Sequence, residues 1–179
     1  MKRQFAIRLS CINSILQFEA LMKKLKRNKK LKFQIKMAFE HDVDNAFKII
    51  TNPISYPEIH PLITKVDKID ENCFECHETT TIFGIPYSFK YLVYLSQPCS
   101  NLVVMTSEVQ KGVWMKLSFS IQYLQNQQFL CEEIEISGPY LVQKILSKKL
   151  KKAHYKMFYN LKRKLYMQHD DMDTDQIRK

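Results

Sequence analysis

The sequence predicts one α+β domain: a curved antiparallel sheet of about seven strands, two short helices after strand 1, and a long C-terminal helix packed across the sheet. Three observations predict it. Between residues 62 and 137, apolar and polar side chains alternate in six successive runs separated by short turn signals. A separate alternating run ahead of them is followed by a segment interrupted by three prolines. After Gly138-Pro139 the apolar period lengthens to three and four and stays so for nearly thirty residues.

The first strand reads from Lys32. Phe33, Ile35, Met37 and Phe39 alternate with Gln34, Lys36 and Glu40, the two-residue period of a half-buried strand. Asp42 or Asp44 then offers a helix N-cap, and Val43, Ala46, Phe47 and Ile50 share one helical face. Pro53, Pro57 and Pro61 recur every four residues, which no continuous helix interior tolerates, so a second short helix follows a bend. Six strands are expected over 62–70, 73–83, 86–96, 101–110, 113–125 and 128–137, joined as hairpins into a meander. The fifth of these is the clearest: Met115, Leu117, Phe119, Ile121 and Tyr123 fall on one face and Lys116, Ser118, Ser120 and Gln122 on the other. One face is therefore covered. The cover is the last helix, with Pro139 suited to its first turn and an inward stripe of Val142, Ile145, Leu146, Leu150, Ala153, Met157, Leu161 and Leu165. Tyr155, Phe158, Tyr159 and Tyr166 lie near that stripe and are expected to pack with it.

The segments FQIKMAFEHDVDNAFKIITNPISYPEIHPLITKVDKID and EEIEISGPYLVQKILSKKLKKAHYKMFYNLKRKL carry a resemblance. Their order of strand, helix pair, return strand, last strand and long helix resembles the START-like (SRPBCC, Bet v 1-like) helix-grip domain, in its polyketide cyclase/dehydrase and lipid-transport branch. The resemblance covers about residues 32 to 167. It leaves 1–31 as a basic amphipathic leader and 168–179 as a disordered acidic tail. It implies a cavity between sheet and last helix that binds or transports a hydrophobic small molecule or lipid. The mouth would lie near the second short helix and the start of the last one. A cyclase or hydratase of the same fold is the alternative, and a basic peripheral membrane or nucleic-acid-associated protein a further one. Inward candidates for ligand contact are Tyr87, Phe89, Tyr91, Met105, Met115, Phe119 and Tyr123 from the strands and His154 and Met157 from the helix. The same side chains equally suit a filled core.

Catalytic candidates are few. His60, in PEIHPL beside the expected mouth, and His154, among apolar helix neighbours, are the two side chains that could move a proton near neutral pH. A backbone-bonded turn histidine and a satisfied core histidine are the structural alternatives. His77 shares a strand face with Glu75 and reads as structural. The chain holds no GxSxG, HExxH, Walker or GxGxxG pattern, which removes support for hydrolase, metalloprotease and nucleotide readings. Cys73 and Cys76 form one CxxC without a second pair, and on a strand they face opposite sides, so no metal site is expected and no cofactor is implied. Five cysteines, an odd number, suit a reducing compartment better than a disulfide framework.

The net charge of +10 is concentrated in two places. Residues 1–32 carry ten Lys/Arg against Glu19 alone, and residues 139–169 carry nine against no acid, whereas 33–138 are acidic, with seven Lys/Arg against thirteen Asp/Glu. An anionic membrane surface reached through residues 1–31 is the favoured macromolecular partner, ahead of nucleic acid. The expected location is cytoplasmic, or an organelle such as the mitochondrion if the leader is a transit peptide.

Overall fold

The computed structural model describes residues 30–39, 42–82 and 85–176, the side chains of Ile82 and of residues beyond Met167 excepted. The leader expected over 1–31 therefore lies, apart from Lys30 and Leu31, outside the described residues. Strand β1 (Leu31–Phe39) is followed by α1 (Val43–Ile50), a 3-10 turn (Pro53–Ser55) and α2 (Tyr56–Ile59). Six strands come next, β2 (Ile63–Asp70), β3 (Cys73–Ile82), β4 (Ile85–Cys99), β5 (Leu102–Gln110), β6 (Val113–Leu124) and β7 (Gln127–Ser137). The last element is α3 (Tyr140–Gln176), which continues past the boundary at residue 167 expected from the sequence.

All seven strands form one sheet in the order β1-β7-β6-β5-β4-β3-β2. Every neighbour pairs antiparallel, and the first strand docks beside the last. β4 runs beyond its expected end because a register shift between Ser96 and Cys99 accommodates Pro98, which cannot donate to a ladder. Asp42 takes the N-cap of α1 in the left-handed region, φ 59°, without a side-chain cap hydrogen bond. Its carbonyl accepts from the Ala46 amide at 2.8 Å.

Pleating sends matched side chains to the concave face. One row across the sheet reads Leu95, Met105, Leu117, Ile134 and Phe33, and the next reads Val103, Phe119, Glu132 and Ile35. The three hydrophobic members of this second row are buried, and so is the carboxylate between them. Ala153, Met157, Phe158, Leu161 and Leu165 form the buried face of α3, which packs against β1, α1, α2 and β7. Polar ties fix its height: Gln143 Nε2 donates to the Gly138 carbonyl at 2.6 Å and Asn160 Nδ2 to the Ile59 carbonyl at 2.8 Å. Lys149 donates to the Thr81 carbonyl at 2.8 Å, and Lys164 pairs with Glu58.

Two packing expectations for α3 are corrected. Ile145, placed on the inward stripe, is 62% exposed. Of the four aromatics expected to pack, only Phe158 is buried, while Tyr155, Tyr159 and Tyr166 face outward. Apolar spacing located a helical face correctly but α3 carries apolar side chains on two faces, and spacing alone does not rank them. Among the described residues, no helix is long and apolar enough to cross a membrane.

Candidate functional site

A small interior gap lies between the concave sheet and α3, lined by Tyr56, His60, Cys76, Glu78, Tyr91, Met105, Ser107, Met115, Leu117, Leu150 and His154 among others. Its volume is about 20 Å³. That is room for roughly one water, far below the ~300 Å³ at which small-molecule pockets begin.

Five of the sequence candidates meet there: His60, Tyr91, Met105, Met115 and His154. Phe119 and Met157 are fully buried but belong to the packed core away from the gap. Tyr123 is 67% exposed at the β6–β7 hairpin tip, where no described helix covers the sheet. Tyr87 and Phe89 form a column with Tyr91. The rings stack at centroid distances of 5.5 Å and 5.7 Å, from the exposed Tyr87 through the half-buried Phe89 to the buried Tyr91. This column leads from solvent to the gap.

At the inner end stands a buried polar cluster. His154 Nδ1 is 2.7 Å from Glu132 Oε1, and both side chains are excluded from solvent. The second carboxylate oxygen, Oε2, is buried with no hydrogen-bond partner among the described residues. An unpartnered carboxylate oxygen in an apolar row is costly, and such sites are where function concentrates. The ring of His60 stands edge-on to His154, with centroids 5.3 Å apart. His60 Nδ1 accepts from the backbone amides of Leu62 and Ile63, at 3.3 Å and 3.2 Å, as a backbone-bonded turn histidine does. Those two donors fix the neutral tautomer that carries its proton on Nε2. Burial, and then the neighbouring His154, push the His60 pKa well below its usual 6.5.

Burial shifts the neighbouring groups toward their neutral forms. Burial lifts the Tyr56 hydroxyl well above 10, the Glu132 charge adds to the effect, and the hydroxyl donates to Met105 Sδ at 3.2 Å. Burial raises the Glu78 carboxyl above 4.5 despite the hydrogen bond it accepts from the Tyr91 hydroxyl at 3.1 Å. Burial, followed by the Glu78 charge, pushes the Cys76 thiol up to about 12, which removes it as a nucleophile at neutral pH. Among the described residues, Cys76, Cys99 and Cys131 are free thiols. On the sheet, His77 Nε2 lies 3.0 Å from Asp67 and 3.1 Å from Glu75. These three could offer ligand atoms to a metal, but Lys65 and Lys90 already bond the two carboxylates, the arrangement of a surface ion-pair network.

The sequence reading missed Glu132, Glu78, Tyr56 and Ser107. The signal for Glu132 was present: Leu130, Glu132, Ile134 and Ile136 share one face of β7, so alternation puts an acid in the core.

Strand order and helix placement together define the START-like helix-grip fold. Neither a protein-family model nor a curated protein matches the chain. Solved structures do. The di-domain ARO/CYC StfQ from the steffimycin biosynthetic pathway aligns over 78% of this chain with TM-score 0.61 and 11% identity, and this chain spans only 51% of it. A START superfamily protein from Mycobacterium smegmatis aligns over 75% of this chain and 97% of its own, with TM-score 0.59 and 13% identity. Norcoclaurine synthase from Thalictrum flavum aligns over 79% and 90%, with TM-score 0.60 and 11% identity. At these identities the likeness establishes the fold alone.

Proposed function

We propose that the chain binds or carries a hydrophobic small molecule or lipid between the concave sheet and α3, with a polar end of that molecule meeting His154. The single observation that carries this reading is the stacked column Tyr87, Phe89 and Tyr91, running from an exposed ring to the gap beside the buried polar cluster. A purely structural core has no use for an exposed aromatic lead-in or for an orphaned carboxylate oxygen. The gap of about 20 Å³ means that a guest enters by displacement, with Leu150 and the first turns of α3 moving away from the sheet. START-like neighbours are consistent with such a role. Native mass spectrometry of the purified full chain, with solvent extraction of anything bound, tests it. A co-purifying apolar compound, displaced in the Phe89→Asp variant, is the expected result. Protein that is empty from several expression hosts and gives no enhancement of 1-anilinonaphthalene-8-sulfonate fluorescence would count decisively against it.

A second reading, a cyclase- or hydratase-type enzyme, is favoured by one specific pair. With Nδ1–H donated to Glu132, the His154 Nε2 atom is left to take or give a proton at the gap, the arrangement by which a buried carboxylate orients a base. Neighbours of this fold include a protein named as a synthase and one named ARO/CYC. Turnover of small polycarbonyl compounds that vanishes in Glu132→Gln while binding persists would select this reading over a carrier.

A further inference from the structure

Among the described residues, one outward face of α3 is left largely uncovered. Positions 141, 145, 148, 152, 155, 159, 162 and 166 step by four and three along one face, and they hold Leu, Ile, Lys, Lys, Tyr, Tyr, Lys and Tyr. Leu141 is 71% exposed, and Tyr155 and Tyr159 are each more than half exposed. The stripe extends about 38 Å at the helical rise. Lys156 and Lys162 lie over the rings of Tyr159 and Tyr166, at 4.8 Å and 5.7 Å from their centroids, which draws cations and aromatics into one surface. Lys144, Lys148, Lys152 and Arg163 have no acidic partner among the described residues.

We propose that this outer face of α3 docks the protein on an anionic lipid bilayer, with Leu141, Ile145 and the three tyrosines entering the headgroup region and the lysines meeting lipid phosphates. Charge complementarity selects the occupant. The nine Lys/Arg and zero Asp/Glu of residues 139–169 disfavour pairing this face with the same face of a second copy, since the two stretches repel. A single-stranded nucleic acid would satisfy the lysines and stack on tyrosines but would leave Leu141 and Ile145 in water. An interfacial helix uses both kinds of side chain at once, aliphatics below the headgroups and Tyr and Lys at their level. The surface differs from the leader at 1–31 and does not rest on what the interior holds.

The test is co-sedimentation of the full chain with vesicles of phosphatidylcholine alone and with vesicles containing about a third phosphatidylserine. Binding is expected to favour the anionic vesicles by at least about tenfold and to fall with salt. Lys148→Glu/Lys152→Glu and Leu141→Glu/Ile145→Glu should each weaken it about tenfold or more. All four positions are exposed, so thermal midpoints should match the parent and exclude misfolding. Equal binding to both vesicles, parental binding by both variants (the leader alone would then hold the membrane), or capture by single-stranded RNA without capture by vesicles would each overturn the proposal.

Discussion

The imidazole of His154 on α3 and the carboxylate of Glu132 on β7 meet at 2.7 Å in the interior, so the last helix and the last strand are joined by a hydrogen bond withdrawn from solvent. Breaking such a pair leaves one member stranded, and that is worse than removing both. His154→Phe should therefore destabilise the fold by about 3–5 kcal/mol, whereas Glu132→Leu/His154→Phe should recover most of that loss. Urea unfolding of parent, single and double variants measures it. A double variant less stable than both singles would mean that the pair is not coupled.

The depressed pKa of His60 has a defined pH signature. The folded state keeps this ring neutral below the pH at which the unfolded chain takes up a proton, so its contribution is fully present above about 6.5 and is lost as pH falls. Stability should drop by up to about 1.4 kcal/mol per pH unit below that point. Glu78, raised by burial, acts in the opposite sense, its contribution declining as pH rises above 4.5. His60→Asn keeps an acceptor for the Leu62 and Ile63 amides and removes the titration. The difference between the two pH–stability curves should grow steadily from pH 6.5 to pH 5, and parallel curves would exclude His60 as the titrating group.

Cysteine reactivity should follow burial. In a Cys11→Ser background, an aromatic disulfide reagent at pH 8 should label the exposed Cys99 quickly and reach Cys73, Cys76 and Cys131 only after denaturation. Cys76, with its thiol pushed up to about 12, should be among the slowest. Labelling of two or more thiols in the native protein would show that the interior opens readily.

Gly138 sits at φ 148° two residues ahead of the start of α3. A Cβ there would come within 3.0 Å of the Gly112 carbonyl oxygen and 3.3 Å of Val113. Backbone, not a movable side-chain tip, is in the way, so Gly138→Ala should cost roughly 1–3 kcal/mol. It should also disturb the Gln143 bond that fixes the first turn of α3. Thermal unfolding of the variant checks this, and an unchanged midpoint would refute the packing argument.

These relationships were unevenly legible in the sequence. Two-residue alternation is a direct imprint of the pleat, so β1 to β7 could be placed to within a few residues and β2 to β7 joined as successive hairpins, while the docking of β1 beside β7 has no local signal. The same alternation names a face without saying what lies over it. That is why Tyr123, in register with Phe119, reaches solvent at a hairpin tip while Phe119 is buried. The site was legible where polar residues interrupt apolar rows, as Glu132 does, but its pairing with His154 joins two elements whose relative height no local pattern encodes. Gap volume was beyond reach altogether, because it depends on a difference of a few methylene groups summed over many side chains.

The pairing of Leu31 with Ile136 places the opening segment of the sheet beside its final one. During synthesis, β1 must wait until nearly the whole sheet has left the ribosome before its hydrogen bonds can close, and α3 arrives later still. For that interval the concave aromatic face is open to whatever is nearby. A greasy guest, or a chaperone, would find its easiest access to this protein before the chain is finished.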